Sequence, residues 1–132
     1  MNALFSYAQD TRGIMVRVSV SYMAEQSDPV RSRWFWTYHI RIENKSAMTV
    51  QLLTREWIIR DARGAENRVV GEGVVGEQPV LKPGQTYDYV SGCPLTTSSG
   101  SMSGKYGMIG EDGSHFDIAI PHFALLAPVT AG

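Results

Sequence analysis

An all-β fold, two antiparallel sheets packed face to face, is what this sequence predicts. Three observations carry it. Short stretches alternate apolar and polar residues with period two, sustained apolar spacing at i, i+3, i+4 and i+7 is nearly absent, and 13 glycines and 6 prolines punctuate the chain. About seven or more short strands separated by such turns suggest a sandwich, with a closed barrel as the main alternative.

The elements follow in order. In Met15–Tyr22 the residues Val16, Val18, Val20 and Tyr22 share one face and Arg17, Ser19 and Ser21 the other, which describes a half-buried strand. Trp34–Asn44 alternates more strongly. Trp34, Trp36, Tyr38, Ile40 and Ile42 lie on one side, and their stiff or aromatic side chains suit a pleated central strand. Trp36 there resembles, in architecture only, the buried tryptophan of immunoglobulin-like domains. Phe35 falls on the polar face, as a second-surface or partner contact. Val50–Asp61 is a third strand, whose apolar doublets Leu52-Leu53 and Ile58-Ile59 mark a bulge or burial on both faces.

Asp61-Ala62-Arg63-Gly64 reads as a turn and Asn67–Val70 as the returning strand. Lys82-Pro83-Gly84 turns the chain again, and Gln85–Ser91, Gly100–Ile109 and His115–Pro121 supply three more strands. The expected single domain runs over residues 14–126, with 1–13 and 127–132 as flexible segments.

Composition narrows the function classes. A chain of 132 residues with 43% hydrophobic and 19% charged content fits one ordinary globular domain. A net charge of -1 argues against a broad nucleic-acid surface. The single cysteine, Cys93, excludes an internal disulfide, and no secretory signal pattern or apolar run of roughly 20 residues is present. The expectation is a cytoplasmic protein without membrane insertion.

The chemistry-bearing motifs are few. Gly71-Glu72-Gly73-Val74-Val75-Gly76 matches G-x-G-x-x-G, which elsewhere cradles a pyrophosphate. A dinucleotide site needs a helix after the glycines, and here Pro79, Pro83 and Gly84 follow. The glycines then serve as backbone punctuation or as a bare nest of amides for an anion, with Arg68 and Lys82 as assisting cations. For a metal, the candidates are His115, Asp117 and Asp112, against the plainer reading of a solvated turn and strand edge. Neither Cys93 nor Ser91 sits in a nucleophile signature, so no enzyme and no cofactor are expected. Trp34, Trp36 and Tyr38 could stack on bases, but alternation favours a buried face.

From Arg55 onward the chain resembles the ApaG family. The resemblance rests on Arg55-Glu56-Trp57-Ile58-Ile59-Arg60-Asp61, Gly71 to Pro79, Leu81-Lys82-Pro83-Gly84, Tyr87-Asp88-Tyr89-Val90-Ser91-Gly92, Gly100 to Tyr106 and Phe116 to Pro121. It implies an immunoglobulin- or fibronectin type III-like antiparallel β-sandwich. It also implies a link to cobalt tolerance and magnesium efflux, as for stand-alone bacterial members. Related domains inside eukaryotic F-box proteins and a DNA-polymerase-delta-interacting protein point to a protein–protein interaction module. Glu56 and Tyr87 stand where members often carry His and Phe.

Three expectations follow. The first is a non-catalytic interaction module in divalent-cation homeostasis, meeting a protein partner through an exposed sheet edge and the loops Gly71–Gly76 and Leu95–Ser101. The second is a binder of small anions, pyrophosphate or nucleotide at Gly71, Gly73 and Gly76. The third is a direct divalent-metal binder. An exposed edge would also permit a homo-oligomer.

Overall fold

The computed structural model describes residues 5–128. Nine strands run through them: β1 (Tyr7–Thr11), β2 (Ile14–Tyr22), β3 (Trp34–Asn44), β4 (Val50–Asp61), β5 (Glu66–Glu72), β6 (Val80–Leu81), β7 (Thr86–Leu95), β8 (Ser99–Gly110) and β9 (His115–Leu126). Two short 3-10 turns, Ala24–Gln26 and Pro29–Arg31, join β2 to β3. One sheet has the order β1-β2-β3-β7. The other has β5-β4-β8-β9, with β6 sharing the β5 edge of β4. All pairings are antiparallel, so the two-sheet sandwich holds and the barrel does not.

The core is built by the alternation. Val16 and Val18 on β2 and Trp36, Tyr38, Ile40 and Ile42 on β3 turn inward from the first sheet. Leu52, Trp57, Tyr106, Met108, Ile118 and Phe123 meet them from the second. Trp36 is fully buried, and its indole N–H donates to the Leu126 carbonyl at 3.1 Å. That pairing satisfies the one polar atom a buried tryptophan carries.

The Leu52-Leu53 doublet is a bulge: the β4–β8 register shifts between Leu52 and Thr54. One extra residue reverses the facing of a strand. Before the bulge Val50 and Leu52 point inward; after it Trp57 is the buried residue.

The N-terminal segment departs from expectation. Residues 7–11 are an ordered edge strand, with Tyr7 opposite Val18 and Thr11 opposite Ile14. Arg12 (φ 55°) and Gly13 (φ 83°) form the two-residue hairpin turn, and Asp10 Oδ1 accepts the Gly13 amide. An edge strand with three of its five residues exposed carries no apolar alternation to reveal it. Residues 1–4 lie outside the described residues.

Two strands outrun their predicted ends, since β7 passes through Pro94 and β9 through Pro121. Both are edge strands, where a missing N–H costs no ladder bond, and Pro121 sits beside a register shift. Beyond β9, Ala127 still packs on the core and its amide donates to the Ser98 carbonyl. The rest of the expected flexible end, 129–132, lies outside the described residues.

The two flanks of the sandwich differ. On one, β1 closes against β9: the Ala124 amide donates to Tyr7 Oη (3.3 Å) and the Ala119 amide to Thr11 Oγ1 (3.2 Å). On the other, β5 and β7 stand apart with a cleft between them. At one end, the fully buried Asn44 ties three segments together. Its Nδ2 donates to the Met48 and Leu81 carbonyls, while its Oδ1 accepts from the Ser46 amide and hydroxyl.

Candidate functional site

The three motif glycines have three different physical causes. Gly71 lies inside β5 opposite Arg55, and a Cβ there would sit 2.8 Å from Arg55 Nη1. It makes room for a side chain. Gly73 has φ +67°, and a Cβ would come within 2.4 Å of the Glu77 carbonyl oxygen. Gly76 (φ +79°) follows Val75 (φ 48°) in a two-residue turn closed by mutual Val74–Glu77 amide-to-carbonyl bonds.

That turn uses its own amides. Gly73 donates to the Leu53 carbonyl at 2.8 Å, Val74 to Glu77 at 2.8 Å and Glu77 to Val74 at 2.9 Å. Only the Val75 and Gly76 amides remain for an external anion. The expected assisting cations are not brought together. Arg68 faces Ile58 on the β4 edge, while Lys82 follows Leu81, which faces Val50. Eight residues of extended strand separate those registers by roughly 27 Å. Arg68 is also paired with Glu56 at 2.7 Å.

The metal candidates fare similarly. His115 and Asp117 lie two apart on β9 beside Gly107 and Thr54. Asp117 pairs with Lys105 at 3.4 Å, and Asp112 in the preceding turn accepts the Ser114 amide and hydroxyl. Those Ser114 bonds hold the Asp112 carboxyl below its ordinary range. No group of three or more His, Cys, Asp or Glu side chains that could hold a metal ion forms among the described residues.

The built cavity lies elsewhere, in the seam between β5 and β7. It consists of two hollows of about 410 and 550 Å³ that share Ile59, Asn67, Pro94 and Leu95. The first is mainly apolar, with Trp34, Phe35, Ile59, Pro94 and Leu95 in its wall. Phe35, expected as a surface aromatic, lies over Gly92, where a Cβ would meet its ring at 2.3 Å. The second hollow holds Tyr38, Arg55, Trp57, Arg68, Ser91 and Cys93. Thus Trp36 and Tyr38 are core residues, while Trp34 is only half-buried and lines the seam.

Arg55 is the unusual member. The bulge puts it in the inward phase with Trp57, opposite Tyr106 on β8. Its Nη1 donates to the Glu72 and Gly73 carbonyls, each at 2.9 Å. None of the salt bridges among the described residues involves it. Around it, Tyr38, Tyr89 and Tyr106 are buried, and the Tyr89 and Tyr106 hydroxyls are hydrogen-bonded to one another. Burial pushes all three phenols above their ordinary range, while the Arg55 charge pulls each the other way. Burial likewise raises the Cys93 thiol to about 11, so it stays a thiol at neutral pH.

Sequence reasoning quoted Arg55 and missed its position. The available signal was the Leu52-Leu53 doublet, since a bulge there turns Arg55 inward. Among the described residues no helix is long and apolar enough to cross a membrane.

Comparison with known proteins agrees with this architecture. A family model described as the ApaG domain matches residues 24–110, which span β3 through β8. Protein ApaG of Brucella canis is 55% identical over 122 residues, covering 92% of this chain and 94% of that one. Protein ApaG of Rhodospirillum centenum is 51% identical with the same coverage. A solved Bordetella pertussis structure bearing the name ApaA superposes with a TM-score of 0.85 at 43% identity, over 89% of this chain and 95% of the other. The strand order, the bulged β4 and the glycine segment thus sit within a shared sequence and a shared fold, and the chain belongs to the ApaG family.

Proposed function

We propose that the protein is a non-catalytic interaction module of the cytoplasm that serves divalent-cation homeostasis by accepting an extended segment of a protein partner along β5. One observation carries this reading: β5 is an edge strand exposed over nearly all its length. Such an edge offers unpaired main-chain donors and acceptors, the feature used in recognition by strand addition. Beside it, Val70 (61% exposed), Val75 (62%) and Val80 (55%) supply apolar contacts. Val75 does so from a left-handed conformation that a β-branched residue adopts only under strain.

The test is a photo-reactive residue at Val70, compared in native lysate with one at Val30, which is exposed but remote in sequence from β5. A discrete adduct from position 70 alone is expected; Val75→Lys in the same chain should weaken it, and Val70→Lys in a chain without the probe should lower cobalt tolerance. No adduct, or a Val70→Lys strain as cobalt-tolerant as wild type, would sink the reading.

A further inference from the structure

The sandwich places a guanidinium where its inner face should be apolar. Arg55 follows the bulge in the row that contains Trp57, with Tyr106 beside it on β8 and Gly71 beside it on β5. Arg55 is half-buried there, and a guanidinium so placed is stabilised by a counter-charge or further hydrogen bonds. Arg55 has two carbonyls, both on Nη1, and no carboxylate partner among the described residues. Its other N–H groups are not buried without a partner, and the side chain lines the seam. They are therefore reachable by solvent, on a side chain that forms part of the wall of the cleft.

The surroundings are arranged for the missing group. Gly71 leaves the space in which the guanidinium lies flat against β5. Ser91 stands directly across the strand pair from Tyr38, so two hydroxyls accompany the guanidinium in the same hollow. The neighbouring acid, Glu56, is taken by Arg68 at the rim. At the far mouth, Asp61 is taken by the Arg63 and Ala65 amides of its own turn. Among the described residues no carboxylate lies within salt-bridge distance of Arg55, and a planar guanidinium presents a fork that fits a carboxylate or phosphate. The adjoining hollow of Trp34, Phe35 and Leu95 shares wall residues with this one and is mainly apolar, with Gln26, Arg33 and Asp61 also in its lining.

We propose that the β5–β7 seam is a binding site for a small organic anion, whose carboxylate or phosphate group pairs with Arg55 beside Tyr38 and Ser91 and whose apolar body occupies the hollow of Trp34, Phe35 and Leu95. This is a different place from the Gly73–Glu77 turn, where the Gly73, Val74 and Glu77 amides are committed. It is also separate from partner docking on the outer edge of β5. Val70→Lys leaves Arg55 in position, so loss of the partner and loss of the anion are distinguishable.

The experiment is an NMR titration of the full chain with benzoate and phenyl phosphate, alongside benzamide as the neutral counterpart and inorganic phosphate as the bare anion. Both organic anions should give saturating shifts at low-millimolar concentration in the Arg55 side-chain N–H, the Ser91 and Gly92 amides and the Trp34 indole. Benzamide should bind at least about tenfold more weakly, and inorganic phosphate should move Arg55 but not Trp34. Arg55→Gln should abolish the shifts while leaving the spectrum outside the seam unchanged. Arg55→Lys, which keeps the charge without the fork, should weaken binding about tenfold and serves if the Gln variant does not fold. Shifts that survive Arg55→Gln, equal binding of benzamide, largest shifts at Val75 and Gly76, or no saturation would each overturn the proposal.

Discussion

The two flanks of this sandwich solve the same problem in opposite ways. Where β1 meets β9, side-chain oxygens of Tyr7 and Thr11 accept amides of β9, and the Tyr7 ring packs 5.9 Å from that of Phe123. Where β5 faces β7, the sheets part, and Arg55, Ser91 and Trp34 line the gap. Closing a flank satisfies polar groups inside the chain, whereas the open flank leaves a cation and two strand edges available to something else. Stability should therefore depend on the closed flank, and ligand recognition on the open one.

The largest test of that division is Phe123→Ala. The ring is fully buried and touches the aromatic rings of Tyr7, Tyr38 and Trp57. Its removal should cost about 3–5 kcal/mol in denaturant unfolding, because the cavity cannot collapse between two sheets. A loss under about 1 kcal/mol would mean that the closed flank is not where the sandwich is held.

Alkaline pH next probes the core behind the open flank. Burial raises Tyr89 and Tyr106 above the ordinary phenol range. A raised folded-state pKa means the stabilisation is intact below the unfolded value of about 10 and is lost as pH climbs toward the folded one. The melting temperature should hold up to about pH 10 and then fall, with Tyr89 and Tyr106 ionising only as the protein unfolds. Ionisation of Tyr89 and Tyr106 in the still-folded protein would show that region of the core to be wet.

The smallest effect on stability, and the sharpest on recognition, belongs to Gly71→Ala. The new methyl meets only the flexible end of Arg55, so the fold should lose less than about 1 kcal/mol. The guanidinium must shift, however, and the anion-induced shifts of the seam should weaken with it. Unchanged titrations in a normally folded variant would break the link between Gly71 and Arg55.

Most of the framework was legible because alternation and burial are the same information. Val16, Val18, Trp36, Ile40 and Ile42 announce their facing in the sequence and hold it in the fold. β1 was not legible, since Gln9 and Asp10 stay exposed and its side-chain hydrogen bonds to β9 come from Tyr7 and Thr11 at its ends. The expected strand ends at Ser91 and Pro121 fell short because the edge positions that tolerate Pro94 and Pro121 exist only in three dimensions. The glycine motif was legible as turn chemistry but not as a bed for Arg55. That role depends on a cross-strand neighbour sixteen residues upstream. Arg55 itself required the phase reversal at Leu52–Thr54, which the sequence signals only as a doublet.

The Tyr7–Ala124 contact also orders events in time. Its partners lie 117 positions apart, so the flank it seals cannot form until nearly the whole chain is present. Hairpins such as β4–β5 have local partners and can pair early, whereas loop closure over such a span is slow. A nascent chain would expose the inner face of β2 and β3 until β9 arrives. Synthesis thus leaves a window in which Trp36 and Ile40 are bare, and during it the chain depends on prompt completion or on a chaperone to avoid aggregation.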